Sequence, residues 1–193
     1  MTYIFGECVK NRIKELSEKG YLPKHALQNL DKEAQGIVKL LLRIGLKLAT
    51  AESCTGGMIS QFVTSVPNAS QVFDMGVCTY ANSAKHKLLG VGSDTLENYG
   101  AVSSQTAVEM ARGIKALANS DIGVAVTGIA GPTGATADKP VGTVYCGIAY
   151  KDIEFACLLR LFELENCDRD ALRRYTCLCV FEILQELIHL DNE

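Results

Sequence analysis

Apolar residues recur along this chain at helical spacing in some stretches and run almost unbroken in others. The switches between the two patterns mark its elements. Ile4, Phe5, Val9, Ile13 and Leu16 fall on one helical stripe, so residues 2–22 read as a weakly amphipathic helix stopped by Gly20 and Pro23. Leu27, Leu30, Ala34, Ile37, Val38, Leu41 and Leu42 continue the spacing and predict a second helix from Lys24 to Ile44, with Gly45 ending it. Residues 46–51 read as a short strand that runs into Glu-Ser-Cys-Thr-Gly-Gly at 52–57, and 58–66 reads as a helix that Pro67-Asn68 breaks.

Residues 71–81 read as a buried strand, followed by a short helix over 83–89. Ser93 is placed to cap a single turn ending at Gly100. Ser103 is placed to cap a helix over 104–118 whose inward stripe is Val108, Met110, Ala111, Ile114 and Leu117. The run from Ile122 to Thr127 has the unbroken apolar character of a strand covered on both faces. A loop rich in Gly, Pro and Thr spans 128–140. Strands at 141–150 and 153–162 are separated only by Lys151-Asp152, which predicts a hairpin, and a long amphipathic helix spans 168–190. Strands alternating with helices predict an α/β fold, and the hairpin makes its sheet mixed. The pattern shows one domain, with its first 20 or so residues as an appendage.

Composition narrows the function. With 19 Lys and Arg against 22 Asp and Glu, a net charge of −3 and no Trp, the chain carries neither the basic stripe nor the stacking surface of a nucleic-acid binder. Its apolar runs are shorter than the 20 or so residues of a membrane span, and its first residues lack the form of a signal peptide, so it reads as cytosolic with no membrane partner. The eight cysteines include no Cys-x-x-Cys. Cys177 and Cys179 diverge on a helix, and Cys78 and Cys146 sit in apolar runs, so the thiols read as reduced core residues rather than metal ligands or disulfides.

Chemistry in α/β folds gathers beyond strand C-termini, and two segments qualify: 50–57 and 127–136. The first opens a helix with a glycine pair, a geometry that aims N–H groups at an anion or oxyanion, and it puts the Ser53 hydroxyl where a nucleophile belongs. Taken alone, a turn rich in Ser and Gly is more often a simple helix cap than a catalytic site. His25, His86 and His189 form no serine–histidine arrangement. Lys85 is the other base available, provided desolvation lowers its pKa; otherwise it is a surface lysine. Cys54 is either a second nucleophile or a packed thiol. Glu52 is either a buried acceptor that orients the turn or a helix-entry carboxylate.

Five motifs, in order, resemble the CinA C-terminal domain family, also described as competence/damage-inducible or nicotinamide-nucleotide amidase proteins. They are Ala51-Glu-Ser-Cys-Thr-Gly-Gly57, Tyr80-Ala-Asn-Ser-Ala-Lys85 with Leu88-Leu-Gly-Val91, Gly100-Ala-Val-Ser103, Ala125-Val-Thr-Gly-Ile-Ala-Gly-Pro132, and Lys139-Pro-Val-Gly-Thr-Val144. The resemblance covers about residues 31–190, which implies a domain of 31–193 preceded by an N-terminal helical extension, 1–30. It implies a three-layer α/β/α domain with a mixed, mostly parallel sheet. It also implies a metal-independent, cofactor-free amidohydrolase that converts nicotinamide mononucleotide to nicotinate mononucleotide and ammonia in pyridine nucleotide salvage.

Carried over by position, Ser53 resembles the nucleophile and Lys85 its general base, with Tyr80 and Asn82 shaping the pair. Glu52, Thr55, Gly56 and Gly57 belong to the turn, the last three as sources of helix-start N–H groups. Thr127, Gly128, Gly131 and Thr136 form the opposite wall, and Arg169, with Arg173 behind it, is placed for the nucleotide phosphate. The chain departs from the family pattern at Ala135, where members carry glycine, and over 161–168, which is longer and lacks a glycine before the arginine. The alternative reading is a non-catalytic nucleotide-binding or competence-associated protein. A homodimer is expected, with the apolar stripe of the N-terminal helix as its surface.

Overall fold

Every residue of β1 (Leu48–Glu52) is buried, as befits a strand with neighbours on both edges and helices over both faces. The computed structural model, which describes residues 7–192, places it second in a five-stranded sheet. β2 (Phe73–Cys78) and β3 (Ile122–Gly128) lie parallel to it on either side. β4 (Thr143–Tyr150) and β5 (Ile153–Arg160) extend the sheet by antiparallel pairing, giving the order β2-β1-β3-β4-β5. β4 alone runs against the others, so the sheet is mixed and mostly parallel. Because the chain passes from β1 to β2 on one side and returns to β3 on the other, the end of β1 is a topological switch point, where ligands bind in open α/β sheets.

Helices cover both faces. α1 (Glu7–Lys19), α2 (Leu30–Ile44), α3 (Met58–Thr64) and α7 (Arg169–Asp191) enclose a core of branched side chains with Ile122, Val124, Val126, Val144 and Ile148. α4 (Asn82–Leu89), α5 (Ser93–Asn98) and α6 (Ser104–Ala118) cover the other face, where the sheet offers Ala49, Ala51, Ala125 and Ala149. This second layer is thin because the sheet beneath α6 is nearly bare. A Cβ on Gly147 would come within 2.0 Å of the Ala107 carbonyl oxygen, so no larger residue lets α6 approach as it does.

The hydrophobic pattern located the long elements closely, and α6 coincides with its expected range. Several readings need correction. Leu117, expected on the inward stripe of α6, is exposed, and Ser93 is the first residue of α5 rather than its cap. The segment read as a buried strand at 71–81 is an edge strand of six residues, alternately half-buried and exposed. Cys78 at its end is therefore exposed, not a core thiol. The single helix expected from Lys24 is a short 3-10 turn at Leu27–Asn29 followed by α2. The strand expected to reach 162 stops at Arg160 and becomes a 3-10 turn, Leu161–Glu163. Ile4 and Phe5 lie outside the described residues.

The N-terminal extension is built into the same body. Val9, Leu16 and Tyr21 are buried, so the stripe expected to serve a dimer faces the chain's own core. Tyr21 pairs with β5: its N–H donates to the Leu158 carbonyl at 2.8 Å and the Arg160 N–H donates back at 2.9 Å. The buried Glu182 carboxylate of α7 then accepts from the Tyr21 hydroxyl (3.1 Å) and the Lys24 and His25 amides (3.0 and 2.9 Å), and lies 2.8 Å from His25 Nδ1. A cleft of about 360 Å³ opens beside this network. Glu182 lies thirteen residues along α7 from Arg169, about 20 Å at a helical rise of about 1.5 Å per residue.

Candidate active site at the end of the central strand

β1 delivers Glu52 into the core, and the chain then turns through 53–57 before α3 begins. Glu52 is wholly buried. One carboxylate oxygen accepts from Thr55 Oγ1 (2.7 Å), Gly57 N (3.0 Å) and Ile59 N (3.0 Å). The other accepts from Ser60 N (2.9 Å) and Ser60 Oγ (2.7 Å). Glu52 is thus the acceptor that organises the turn and has no face toward a ligand. Gly56 and Gly57 take φ values of 60° and 96°, the left-handed conformation that lets the turn fold back on this carboxylate.

That arrangement changes the expected role of the helix start. The Gly57, Ile59 and Ser60 amides serve Glu52, the Gly56 amide donates to Ser53 O (3.2 Å) and the Met58 amide to Thr55 O (3.3 Å). They are not free for an anion. Arg173, one turn into α7, fixes the turn from outside by donating to the Thr55 carbonyl at 2.7 Å.

Ser53 is held against β3 by its own N–H, which donates to Val126 O at 3.0 Å. Lys85 comes to it from α4. After β2 the chain continues one more step beside β1, with the Thr79 N–H donating to the Glu52 carbonyl at 2.8 Å, and then turns into the helix. This brings Lys85 Nζ to 3.1 Å from Ser53 Oγ. The ammonium also donates to the carbonyls of Thr79 (2.8 Å) and Tyr80 (3.2 Å). The side chain is only 1% exposed, and this burial lowers its pKa from the ordinary lysine value. The surface reading of Lys85 is therefore excluded. Its partner acceptors, two backbone carbonyls, carry no side-chain signal that a sequence could show.

Cys54, beside the serine, points into the large core. Burial pushes its thiol up to about 12, with the Glu52 carboxylate adding to the effect, so it is a packed thiol rather than a competing nucleophile.

The opposite wall follows β3. Thr127 is buried and donates through Oγ1 to Ala101 O at 2.7 Å, which ties the loop before α6 to the strand. Gly128 is half-buried and packs so closely on β4 that a Cβ would lie 2.6 Å from Val144 Cγ2. The carbonyl of Gly131 accepts from Arg169 Nη1 at 2.6 Å, and Arg169 Nη2 lies 3.5 Å from the hydroxyl of Tyr80, which is 67% exposed. Asn82 is exposed at the first turn of α4. Thr136 stays on the exposed loop tip, where its backbone and hydroxyl bond Lys139. Lys139, named only within a motif, clamps that loop: its Nζ donates to Val102 O (2.7 Å) and Tyr99 O (3.3 Å). The serine, the lysine, Tyr80, Gly131 and Arg169 are brought together; Thr136 has no bond to them.

Both departures from the family pattern are absorbed locally. The left-handed positions of the 128–140 loop are Gly131 and Gly134, and Ala135 is not one of them. In 161–168, Asn166 takes φ 55°, a conformation asparagine tolerates, and Asp168 caps α7 by accepting from Ala171 N at 2.8 Å. Arg169 thus reaches the site without the expected glycine. Among the described residues no three His, Cys, Asp or Glu side chains converge so as to hold a metal ion, and no helix is long and apolar enough to cross a membrane.

The fold and site define a three-layer α/β protein with a serine–lysine pair at the switch point of its sheet. The model of the CinA C-terminal domain matches residues 30–188, and the chain belongs to that family. It is 46% identical over 159 residues to the putative competence-damage inducible protein of Caldanaerobacter subterraneus subsp. tengcongensis, covering 82% of this chain and 38% of that protein. It is 53% identical over 112 residues to a CinA-like protein of Kosmotoga olearia, covering 58% of this chain and 27% of that one. The chain therefore spans well under half the length of these relatives. Among solved structures, the competence/damage inducible protein CihA of Agrobacterium tumefaciens superposes with a TM-score of 0.78 at 39% identity, covering 82% of this chain and 95% of that one. A CinA superfamily protein of Klebsiella pneumoniae gives 0.79 at 30% identity, covering 83% and 98%.

Proposed function

We propose that this protein is a serine amidohydrolase that releases ammonia from the carboxamide of nicotinamide mononucleotide, with Ser53 as nucleophile and Lys85 as base. The observation that carries the reading is the buried Lys85 Nζ, 3.1 Å from Ser53 Oγ. A general base must lie within hydrogen-bond reach of the proton it takes and hold its base form near the working pH. Burial moves Lys85 in that direction. When neutral, the amine keeps its two N–H bonds on Thr79 O and Tyr80 O, and its lone pair faces the serine hydroxyl.

Ser53 Oγ then attacks the amide carbon as its proton passes to Lys85, forming a tetrahedral adduct. The amides of Cys54 and Thr55, the first two after the serine, donate to no carbonyl or carboxylate oxygen among the described residues; their acceptor is the weakly accepting Cys54 sulfur, which leaves them available to the oxyanion. Lys85 returns the proton to the departing nitrogen as the carbon–nitrogen bond breaks, so ammonia leaves and an ester remains on Ser53. Water, deprotonated by the same lysine, cleaves that ester. Arg169, which reaches from α7 to the mouth of this site, is the cation available to the substrate phosphate.

The test is ammonia release from nicotinamide mononucleotide by wild type, Ser53→Ala and Lys85→Ala. The expected result is turnover by wild type and a loss of about 10³-fold or more in each variant, given the 10²–10⁴-fold usually due to a general base. Wild type that binds the nucleotide without releasing ammonia would overturn the amidase reading and make this a nucleotide-binding protein.

A further inference from the structure

Sheet order and two arginine contacts together say what covers the nucleophile. Ser53 continues β1, Tyr80 follows β2 and Gly131 follows β3, and β1 lies between the other two. One guanidinium, that of Arg169, bonds Gly131 O at 2.6 Å and comes within 3.5 Å of the Tyr80 hydroxyl. The guanidinium thus bridges from the side chain that follows one outer strand to the backbone that follows the other, across the line of the middle strand. Ser53, at the end of that middle strand, is buried at 8% exposure, although Tyr80 and Arg169 are open to solvent.

We infer that Arg169 is a strap over the site, closed in the ligand-free protein and released by an anionic ligand. This deepens the amidase reading, since the anion would be the phosphate of the nucleotide, but the closure itself does not depend on turnover. The two ends of the strap differ. The Gly131 contact is short and made to a buried residue, whereas the Tyr80 contact is at the limit of a hydrogen bond and exposed. An anion at the mouth of the site attracts the guanidinium and offers its Nη2 edge better acceptors than a neutral phenol, so the Tyr80 end opens first. Arg169 thereby admits substrates that carry an anionic group and keeps the serine covered from neutral amides. Arg173, held on the Thr55 carbonyl one turn further along α7, stays in place while Arg169 moves.

Accessibility of position 53 tests this without requiring catalysis. In a Ser53→Cys background, alkylation by neutral iodoacetamide is followed by peptide mass spectrometry. Cys54 in the same peptide stays unreactive because its thiol is buried. Adding Tyr80→Phe or Arg169→Met, both exposed positions whose replacement leaves the core intact, is expected to raise the labelling rate roughly tenfold, equivalent to removing about 1.4 kcal/mol of closure. Inorganic phosphate is expected to raise it in the Ser53→Cys protein and to have no effect once Arg169 is replaced. Equal rates in all three proteins overturn the strap. Faster labelling in the variants with no response to phosphate overturns anion control. Loss of ammonia release in wild type, with this labelling pattern intact, counts against the amidase reading alone.

Discussion

Replacing Glu52 with glutamine keeps the shape of the side chain and removes its charge, so it isolates what the carboxylate does for the turn carrying Ser53. Five donors converge on it: Thr55 Oγ1, Gly57 N and Ile59 N on one oxygen, Ser60 N and Ser60 Oγ on the other. Glutamine has one acceptor oxygen. Its better orientation puts that oxygen on the side with three donors, and its amino group then faces the Ser60 N–H, donor against donor. The Ser60 hydroxyl can turn toward Thr50 Oγ1, 2.9 Å away, but the Ser60 amide is left buried and unpaired. That loss costs about 1–3 kcal/mol, and the three retained bonds weaken by about 1 kcal/mol each on becoming neutral. Burying an amide instead of a charge offsets part of this, leaving a net loss of about 3 kcal/mol. In a domain of this size that corresponds to a fall of about 10 °C in Tm. Urea unfolding followed by circular dichroism, with a thermal melt alongside, measures it. A loss below about 1 kcal/mol would refute the reasoning, because the turn would then hold its shape without the charge.

Three further outcomes follow. The rate of ammonia release should rise with pH through a single ionisation below the ordinary lysine value, because activity needs neutral Lys85 and burial disfavours its charged form; Lys85→Arg should be inactive at every pH, and a flat profile would speak against the lysine as base. Iodoacetamide at pH 8 should modify the exposed Cys8 first and the exposed Cys78 more slowly, since partial burial and the Glu52 charge push its thiol up, and should spare Cys54, Cys146, Cys177 and Cys179, which are buried; mass mapping reads the sites, and early labelling of Cys54 would contradict its packed position. Tyr21→Phe should cost about 2 kcal/mol in urea unfolding, the scale of a bond to a charged acceptor, since its hydroxyl donates to the buried Glu182; an unchanged midpoint would mean that the carboxylate is satisfied by the Lys24 and His25 donors alone.

What the sequence revealed follows from the range of each interaction. α6 carries its signal locally, as a stripe and a capping residue, and Ser103 does cap it; the stripe of α7 is equally local, and Asp168 caps that helix. β2 was misread because Phe73, Met75, Val77 and Cys78 look like a buried run, whereas burial depends on which strand stands at the sheet's edge, a matter of topology. Lys85 shows the same limit more sharply. Nothing near it in the chain distinguishes a lysine in the core from one in water; its burial depends on β1 lying beside β2 and on carbonyls that any residue would offer. The family motifs nevertheless pointed to it, as they did to Arg169. The Glu52 carboxylate was legible as one of two alternatives, and its five donors decide between them. The path of residues 20–26 along β5 was not legible, since a single bridge between Tyr21 and Leu159 joins positions far apart in the chain.

That bridge also sets an order of assembly during synthesis. α1 is made more than a hundred residues before the strand and helix it rests on, β5 and α7. A helix of 13 residues is marginal in water by itself. The Ser53 turn, α4 and β3 can meet while α1 is still unsupported, so the reactive end of the sheet can form before the far edge is closed. α1 is thus among the last elements to find its place.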